Sequence, residues 1–492
     1  MKKTLTILFV VIFALITTSC AEIEPAIPHS TDNADSPNTI IQSISATEAA
    51  GKSVPLDGSV TNIKLGNEIV IDGTGADLSD NIIYINAAGN YSLSGSLSDG
   101  QIIINCDKAT INLELAGVNI TNSSGPAIYS ADAKMVNIIL KEDCINTLID
   151  GTKYSDAELK ATLFCEDSLT ITGNGTLNIS GNYKHGIASD DYLFIDGGNI
   201  NILSAATDGL HANDGITING GNLSIKAGSD AIESELAITI KGGLLNLDAD
   251  DDGIHAETDL IIEAGTINIT RSYEGLEGKN TIIINGGYIR LKCDDDSINA
   301  GVNTEINGGY IYADCNGDGL DSNGNMTING GTVVVFSGNN ANGPIDIGDR
   351  NATFTINGGT VIATGGNMGI SVSNNSTQHS MWISSKLSAD TLVNITDSNG
   401  NEITTFSLIK SSSLIFYSSD KLSQNTSYNI NTGGSHSGSI TNSVYSNGVY
   451  STGTLLGTVT MTAKNVSLGQ SSGGMGGWDD FGPGEGGRRP GR

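Results

Sequence analysis

The chain has 492 residues, with 54 Asp and Glu against 24 Lys and Arg, a formal charge of −30, and only 5% aromatics. So acidic a surface repels nucleic acid and anionic lipid, and repels an acidic polymer unless a metal bridges the two. The length is ample for one extended domain and an appended piece.

The N-terminus opens with Lys2-Lys3 and an apolar run from Leu5 to Ile16, then Thr17-Thr18-Ser19-Cys20. This pattern predicts a secretory signal over residues 1–19. Its apolar run is too short to span a membrane comfortably, and no later segment reads as a span. A cysteine directly after small residues resembles a bacterial lipobox, with Thr17 where Leu is usual. Cys20 is therefore the expected lipidation site, exported and anchored at the cell envelope or surface, with the lipid the only contact to membrane. Residues 20–55, rich in Ser, Thr, Asn, Ala and Pro, read as a flexible tether.

From residue 56 to 379 the chain reads as one repetitive β domain. Gly125-Pro126-Ala127-Ile128-Tyr129 and His185-Gly186-Ile187-Ala188-Ser189 are degenerate copies of a phrase that becomes regular further on. Between them, residues 148–162 form an insertion expected to project from one face. The regular copies are Asp208-Gly209-Leu210-His211-Ala212, Asp230-Ala231-Ile232-Glu233-Ser234, Asp252-Gly253-Ile254-His255-Ala256, Glu274-Gly275-Leu276-Glu277-Gly278, Asp296-Ser297-Ile298-Asn299-Ala300 and Asp318-Gly319-Leu320-Asp321-Ser322. They recur every 22 residues, the mark of a solenoid. Each phrase is followed by β-branched runs around a Gly-Gly turn, such as Ile216-Thr217-Ile218-Asn219-Gly220-Gly221. Period-2 alternation punctuated by Gly and Asn predicts strands, about three per coil, in an all-β parallel β-helix with coils about 4.8 Å apart.

Stacking turns sequence columns into spatial ones. Ile187, Leu210, Ile232, Ile254, Leu276, Ile298 and Leu320 form an expected interior ladder. Asp208, Asp230, Asp252, Glu274, Asp296 and Asp318 form an acidic column. A third column holds His211, Glu233, His255, Glu277, Asn299 and Asp321. Asp190-Asp191, Asp250-Asp251 and Asp294-Asp295 are expected to crowd the same edge. Carboxylates about 4.8 Å apart repel by roughly 1 kcal/mol per pair in water and about 3–4 at an effective dielectric near 20. Calcium, which takes six to eight oxygen ligands, relieves that repulsion. The expected metal ligands are Asp208, Asp230, Glu233, Asp252, Glu274, Glu277, Asp296, Asp318 and Asp321. The alternative reading treats the acids as hydrated turn formers. The nonapeptide calcium roll does not fit the period. His211 and His255 interrupt the column, each either a structural histidine or a transition-metal ligand.

Cys293 and Cys315 are 22 apart and should stack, and Cys144 and Cys165, 21 apart, are candidates to do so. Export permits disulfides, but a buried thiol ladder fits as well. Tyr288 and Tyr310 are also 22 apart and are candidates for a small ligand-binding platform, or for a cover over the sheet. Past residue 331 the spacing stretches. Residues 380–468 carry strand-like runs out of register and are expected to form a β-rich cap. Residues 469–492 are Gly-rich and expected to be disordered, so Trp478 and Phe481 are weak candidates for ligand contact.

Taken together, several features resemble one bacterial family. They are the signal, Leu148-Ile149-Asp150-Gly151, Ala161-Thr162-Leu163-Phe164 running to Asp167-Ser168-Leu169-Thr170-Ile171, the Asp-Gly-Ile/Leu coils, Tyr417-Ser418-Ser419, Tyr428-Asn429-Ile430-Asn431-Thr432-Gly433-Gly434 and the Gly-rich tail. It is the extracellular carbohydrate-binding β-helix family with the shape of pectate lyases, formerly a domain of unknown function, and the resemblance covers roughly residues 60–490. It implies a right-handed parallel β-helix that binds calcium and plant cell-wall polysaccharide, cellulose and polygalacturonate among them. Asp208, Asp230, Asp252, Asp296 and Asp318 match the family's acidic turn position, and Glu233, Glu277 and Asp321 its polar follow-on position.

A polysaccharide lyase of this shape needs a Lys or Arg within reach of the proton α to a uronate carboxyl. Lys184, Lys226 and Arg271 are the basic residues nearest the acidic edge in sequence, and none has a clustered partner. The expectation is therefore a monomeric, non-catalytic, calcium-dependent polysaccharide binder. A pectate-type lyase and a calcium-stiffened spacer or adhesin are the alternatives.

Overall fold

Backbone pairing follows the columns. Leu210 pairs with Ile232, Ile232 with Ile254, Ile254 with Leu276 and Leu276 with Ile298, all parallel and all fully buried. The computed structural model describes residues 56–469 except 340, 341, 349, 350 and 452. The signal, Cys20, the tether, Trp478 and Phe481 lie outside the described residues. Among the described residues no helix is long and apolar enough to cross a membrane.

The described chain is all-β, a solenoid of about 11 turns and about 23 residues per turn. A regular coil has three strands. In one coil these are Leu210–Ala212 in a first sheet, Gly215–Ile218 in a second and Asn222–Ala227 in a third. Each pairs in parallel with its equivalent in the next coil. Strands of three to six residues suffice because a parallel ladder uses both edges of a strand, so each coil pairs with the one before it and the one after.

The first-sheet partners Ile128, Leu163, Ile187 and Leu210 are 35, 24 and 23 residues apart before the 22-residue step sets in. The insertion accounts for the longest interval. Beyond the regular coils Thr332 pairs with Thr360, a step of 28.

One apolar cluster fills the bore from Ile63 to Phe416. Burying an Ile or Leu stabilises by roughly 1.5–3 kcal/mol, and each coil can do so only against its neighbours. Glycine is needed in the turn between the second and third sheets. Gly309 sits at φ +84°, and a Cβ there would lie 2.9 Å from the backbone of Gly286 one coil back. An asparagine ladder stiffens the same corner: Asn307 Nδ2 donates to Asn285 Oδ1 at 2.8 Å, and Asn329 Nδ2 to Asn307 Oδ1 at 2.8 Å.

The last coils are closed off by antiparallel pairing. Strand Thr360–Gly365 pairs with Ser412–Ser418, which also pairs with Ser380–Leu387. A six-stranded sheet that includes Leu392–Asp397, Glu402–Ser407 and Ser427–Thr432 shares a second apolar cluster with Val334, Phe336 and Ile362 of the solenoid.

Cys293 pairs with Cys315 in register, and both are buried free thiols. Cys165 pairs with Ser130 and Ser189 on the first sheet, while Cys144 lies in the turn before Ile145–Asp150. Those two do not stack, because the insertion after Asp150 displaces the register.

Candidate functional site

The turn between the third and first sheets presents the acidic column. The partners of Asp208 follow from the ladder: His185 stands one coil before it, and Asp230, Asp252, Glu274, Asp296 and Asp318 follow. Each Asp does a structural task. The Oδ1 of Asp208 accepts the backbone N–H of Asp230 at 3.3 Å, that of Asp230 accepts from Asp252 at 2.7 Å, and that of Asp252 accepts from Glu274 at 3.1 Å. The Oδ1 of Asp296 accepts from Asp318 at 2.5 Å. Glu274, longer by one methylene, reaches instead to the Nδ2 of Asn299 at 3.0 Å.

Three residues on, the outward column of the first sheet runs Tyr129, Phe164, Ala188, His211, Glu233, His255, Glu277, Asn299 and Asp321. It therefore changes from aromatic at the N-terminal end to acidic at the C-terminal end. The two columns meet in an open cleft of about 660 Å³ that includes Asp230, Glu233, Asp252, His255, Glu274 and Glu277.

Crowding sets the electrostatics of this cleft. Burial, reinforced by Asp230, Glu274 and Glu277, pushes the Asp252 carboxyl far up, and burial also raises Asp230, Glu233 and Glu274. Burial likewise pushes Asp296 up to about 8, with Asp295, Asp318 and Asp321 adding to it. Asp318 is pushed up to about 6 and Asp321 to about 7, in each case by burial and then by Asp346 among its neighbours. Among the described residues no Lys or Arg pairs with Asp296, Asp318 or Asp321.

The histidines compensate the other end. Burial opposes the charged form of His211 and His255, yet Asp208 and Glu233 raise the first, and Asp230 and Glu277 the second, to about 9. Burial disfavours the charged Asp208 too, but hydrogen bonds with His185 and His211 outweigh it and hold the carboxyl well below its ordinary range.

Several expected residues are placed elsewhere. Asp190 and Asp191 follow the first-sheet strand His185–Ser189 and so occupy its other end, where Asp190 pairs with Lys160 at 2.7 Å. The two-residue gap between the strands there makes this a different corner from that of Asp250-Asp251 and Asp294-Asp295. Tyr288 and Tyr310 do stack, with ring centroids 5.2 Å apart. They are not an open platform, however. Tyr288 is only 8% exposed, and Asn442 of the cap donates its Nδ2 hydrogen bond to the Tyr288 hydroxyl at 2.8 Å. The pair fastens the cap to the solenoid. Tyr273, half-exposed on the rim of the cleft, is the aromatic ring at the acidic edge.

The basic residues nearest in sequence do not supply a poised base. Arg271 is held by Asp248 at 2.9 Å and Asp250 at 2.5 Å, and Lys226 is exposed on the third sheet. Lys184 lies over the Tyr183 ring at 5.3 Å. Lys279, which lies in the cleft and which sequence reasoning missed, is paired with Glu277. Burial works against its charge, but Glu277 raises its pKa, the wrong direction for a general base.

Sequence reasoning also missed His185 as a member of the acidic column, although its phrase is visible. It missed the aromatic group at the insertion as well. The Tyr154 ring stacks on Tyr183 at 4.3 Å, and the Tyr154 hydroxyl donates to Asp150 at 2.6 Å. The insertion lies between the third-sheet strand Ile145–Asp150 and the first-sheet strand Ala161–Cys165, the same corner as the acidic column.

Comparison with known proteins adds a chemical class. A family model described as carbohydrate-binding domain-containing protein matches residues 79–319, the stretch that holds most of this cleft. A protein of Acetivibrio thermocellus with the same description is 31% identical over 173 residues, a match covering 32% of this chain and 60% of that protein. A solved chain described as a polysaccharide lyase-like protein from C. thermocellum, in a gadolinium derivative, is 29% identical. It covers 53% of this chain and 92% of its own length at a TM-score of 0.37, too loose a superposition to add to the fold already described.

Proposed function

We propose that the chain is a non-catalytic module that binds plant cell-wall polysaccharide, with calcium on its acidic edge bridging the protein to acidic sugars such as polygalacturonate. The observation that carries this reading is the carboxylate edge itself, most of which lies within the stretch matched by the carbohydrate-binding family model. Asp230, Asp251 and Asp252 bring carboxylate oxygens within 4.8 Å of one another, and further along the edge Asp296, Asp318 and Asp321 are raised by burial and by neighbouring acids, with no Lys or Arg paired to them among the described residues. The donor set there is all oxygen, with Asp295 and Asp346 close by, which suits a hard cation. Asp230, Asp252, Glu274 and Glu277 extend the same chemistry along the cleft. A bound calcium would neutralise the edge and supply a contact for a uronate carboxylate. Tyr273 on the rim offers a face to a sugar ring. Lys279 in the cleft is paired with Glu277, which raises its pKa and so favours binding over cleavage. Export and lipid anchoring through Cys20 would place the module at the cell envelope.

The test is depletion of the purified protein by insoluble polygalacturonate, with calcium or with a chelator. Loss from solution only with calcium, and no unsaturated sugar released, supports the reading. Release of unsaturated product would make it a lyase. Protein that stays in solution under both conditions would overturn the reading for this polymer and favour a calcium-stiffened spacer.

A further inference from the structure

The N-terminal end of the acidic edge differs in kind from the rest. His185 takes the column position that Asp208 takes in the next coil, and its ring stacks on that of His211 with centroids 4.4 Å apart. Asp208 Oδ2 lies 2.8 Å from His185 Nδ1 and 3.3 Å from His211 Nδ1, and Glu233 Oε2 lies 3.0 Å from His211 Nδ1. One nitrogen from each imidazole and one Asp208 oxygen thus lie within 4.8 Å of one another, and Glu233 of the next coil reaches the same His211. We propose that His185, Asp208, His211 and Glu233 form a site for one borderline divalent transition ion of the zinc type, separate from the all-oxygen end of the edge.

Three geometric features support it. A tetrahedral ion with bonds of about 2.0–2.1 Å needs donors about 3.3 Å apart, close to the separations observed. The side chains are 12%, 5%, 9% and 23% exposed for His185, Asp208, His211 and Glu233, so the donors are shielded from water on most sides. The Asp208 carboxylate is divided between two tasks, since Oδ1 accepts the Asp230 amide and Oδ2 faces the histidines. Thr207 Oγ1, 3.0 Å from His185 Nδ1, is the hydroxyl the ion would displace. Lys160, whose charge acts on His185, is held by Asp190 at 2.7 Å. Imidazole nitrogen selects zinc, cobalt, nickel or copper over calcium, whereas the Asp296 end offers only oxygen. His255 makes no equivalent site. Its Nδ1 lies 3.8 and 3.6 Å from Asp230 and Asp252 and its Nε2 3.4 Å from Glu277, so it offers a single imidazole among carboxylates rather than a stacked pair.

The inference does not rest on glycan binding, and its test reads the metal alone. The purified protein is titrated with Zn²⁺ by calorimetry and with Co²⁺ by visible absorption, both in excess calcium. One ion per chain is expected, with the intense absorption of four-coordinate cobalt. His185→Ala and His211→Ala should each weaken zinc binding by at least about 100-fold, since each removes a direct ligand and loss of an outer supporting group alone costs about 10–100-fold. His436→Ala should leave it unchanged. Circular dichroism confirms that each variant is folded; if an alanine variant is not, His185→Asn and His211→Asn read the same loss. Zinc that fails to bind in calcium, or that binds equally to the His185 and His211 variants, would overturn the proposal.

Discussion

The Oδ1 of Asp230 accepts the backbone N–H of Asp252, one coil further on, at 2.7 Å. The residue whose charge burdens the edge is therefore also the residue that ties one coil to the next. An amide oxygen can take the same hydrogen bond without the charge. In chelator, Asp230→Asn should be at least as stable as the native chain. Asp230→Ala should lose about 1–3 kcal/mol, because a buried donor is left without a partner. Thermal melts together with hydrogen exchange at the Asp252 amide check both. Calcium should then raise the native chain's melting temperature more than that of Asp230→Asn.

Chelated protein should lose stability as pH rises from about 4 to 8. The folded carboxyls of Asp296, Asp318 and Asp321 sit at about 8, 6 and 7, above their unfolded value of 3.8. A carboxyl whose pKa is raised on folding contributes stability that is present below the unfolded pKa and disappears as pH passes the folded one. His211 and His255, raised to about 9 from 6.5, act in the same direction between neutral and alkaline pH. Asp208, held low, acts oppositely, but only in acid. Melting temperatures at pH 5 and pH 8 measure the effect, and saturating calcium should restore most of what is lost at pH 8. Equal melting temperatures at the two pH values in chelator would show that the edge is not electrostatically strained.

Tyr288→Phe should loosen the cap without touching ligand binding. It removes the hydroxyl that accepts from Asn442, a contact worth about 1 kcal/mol. The expected outcome is faster hydrogen exchange in residues 439–446 and unaltered retention on polygalacturonate. Loss of retention would return the tyrosine pair to the ligand site.

Ile254→Ala should cost about 2–5 kcal/mol, since Ile254 is fully buried between Ile232 and Leu276. Because each coil touches only its neighbours, the damage should be local. Hydrogen exchange should rise in the coils around residues 232–278 and stay unchanged near Ile63 and in the cap.

The architecture was legible before any coordinates. A 22-residue period, a Gly-Gly corner and alternating β-branched runs leave few arrangements other than stacked coils, and the Leu210 to Ile298 ladder pairs as the period requires. In a solenoid the nearest spatial neighbour is one period away in sequence, so periodicity carries tertiary information that most folds hide. The acidic column was legible for the same reason.

What the period could not carry is anything that crosses columns or departs from register. The Asp230 Oδ1 to Asp252 amide bond depends on a rotamer. The burial of Tyr288 depends on Asn442, 154 residues away in the cap. The separation of Asp190 from the acidic corner depends on which end of a short strand it follows. His185 joins Asp208 because the coil between them has 23 residues rather than 22, with the extra residue absorbed by an irregularity in the third sheet between Ile202 and Ala205. Sequence by itself thus determined the repeat, the bore and the charge of the edge, because each is a sum over equivalent positions. Tertiary structure alone decided which oxygens serve the backbone, which tyrosines are covered and where histidine meets carboxylate, because each depends on side-chain direction at a single place.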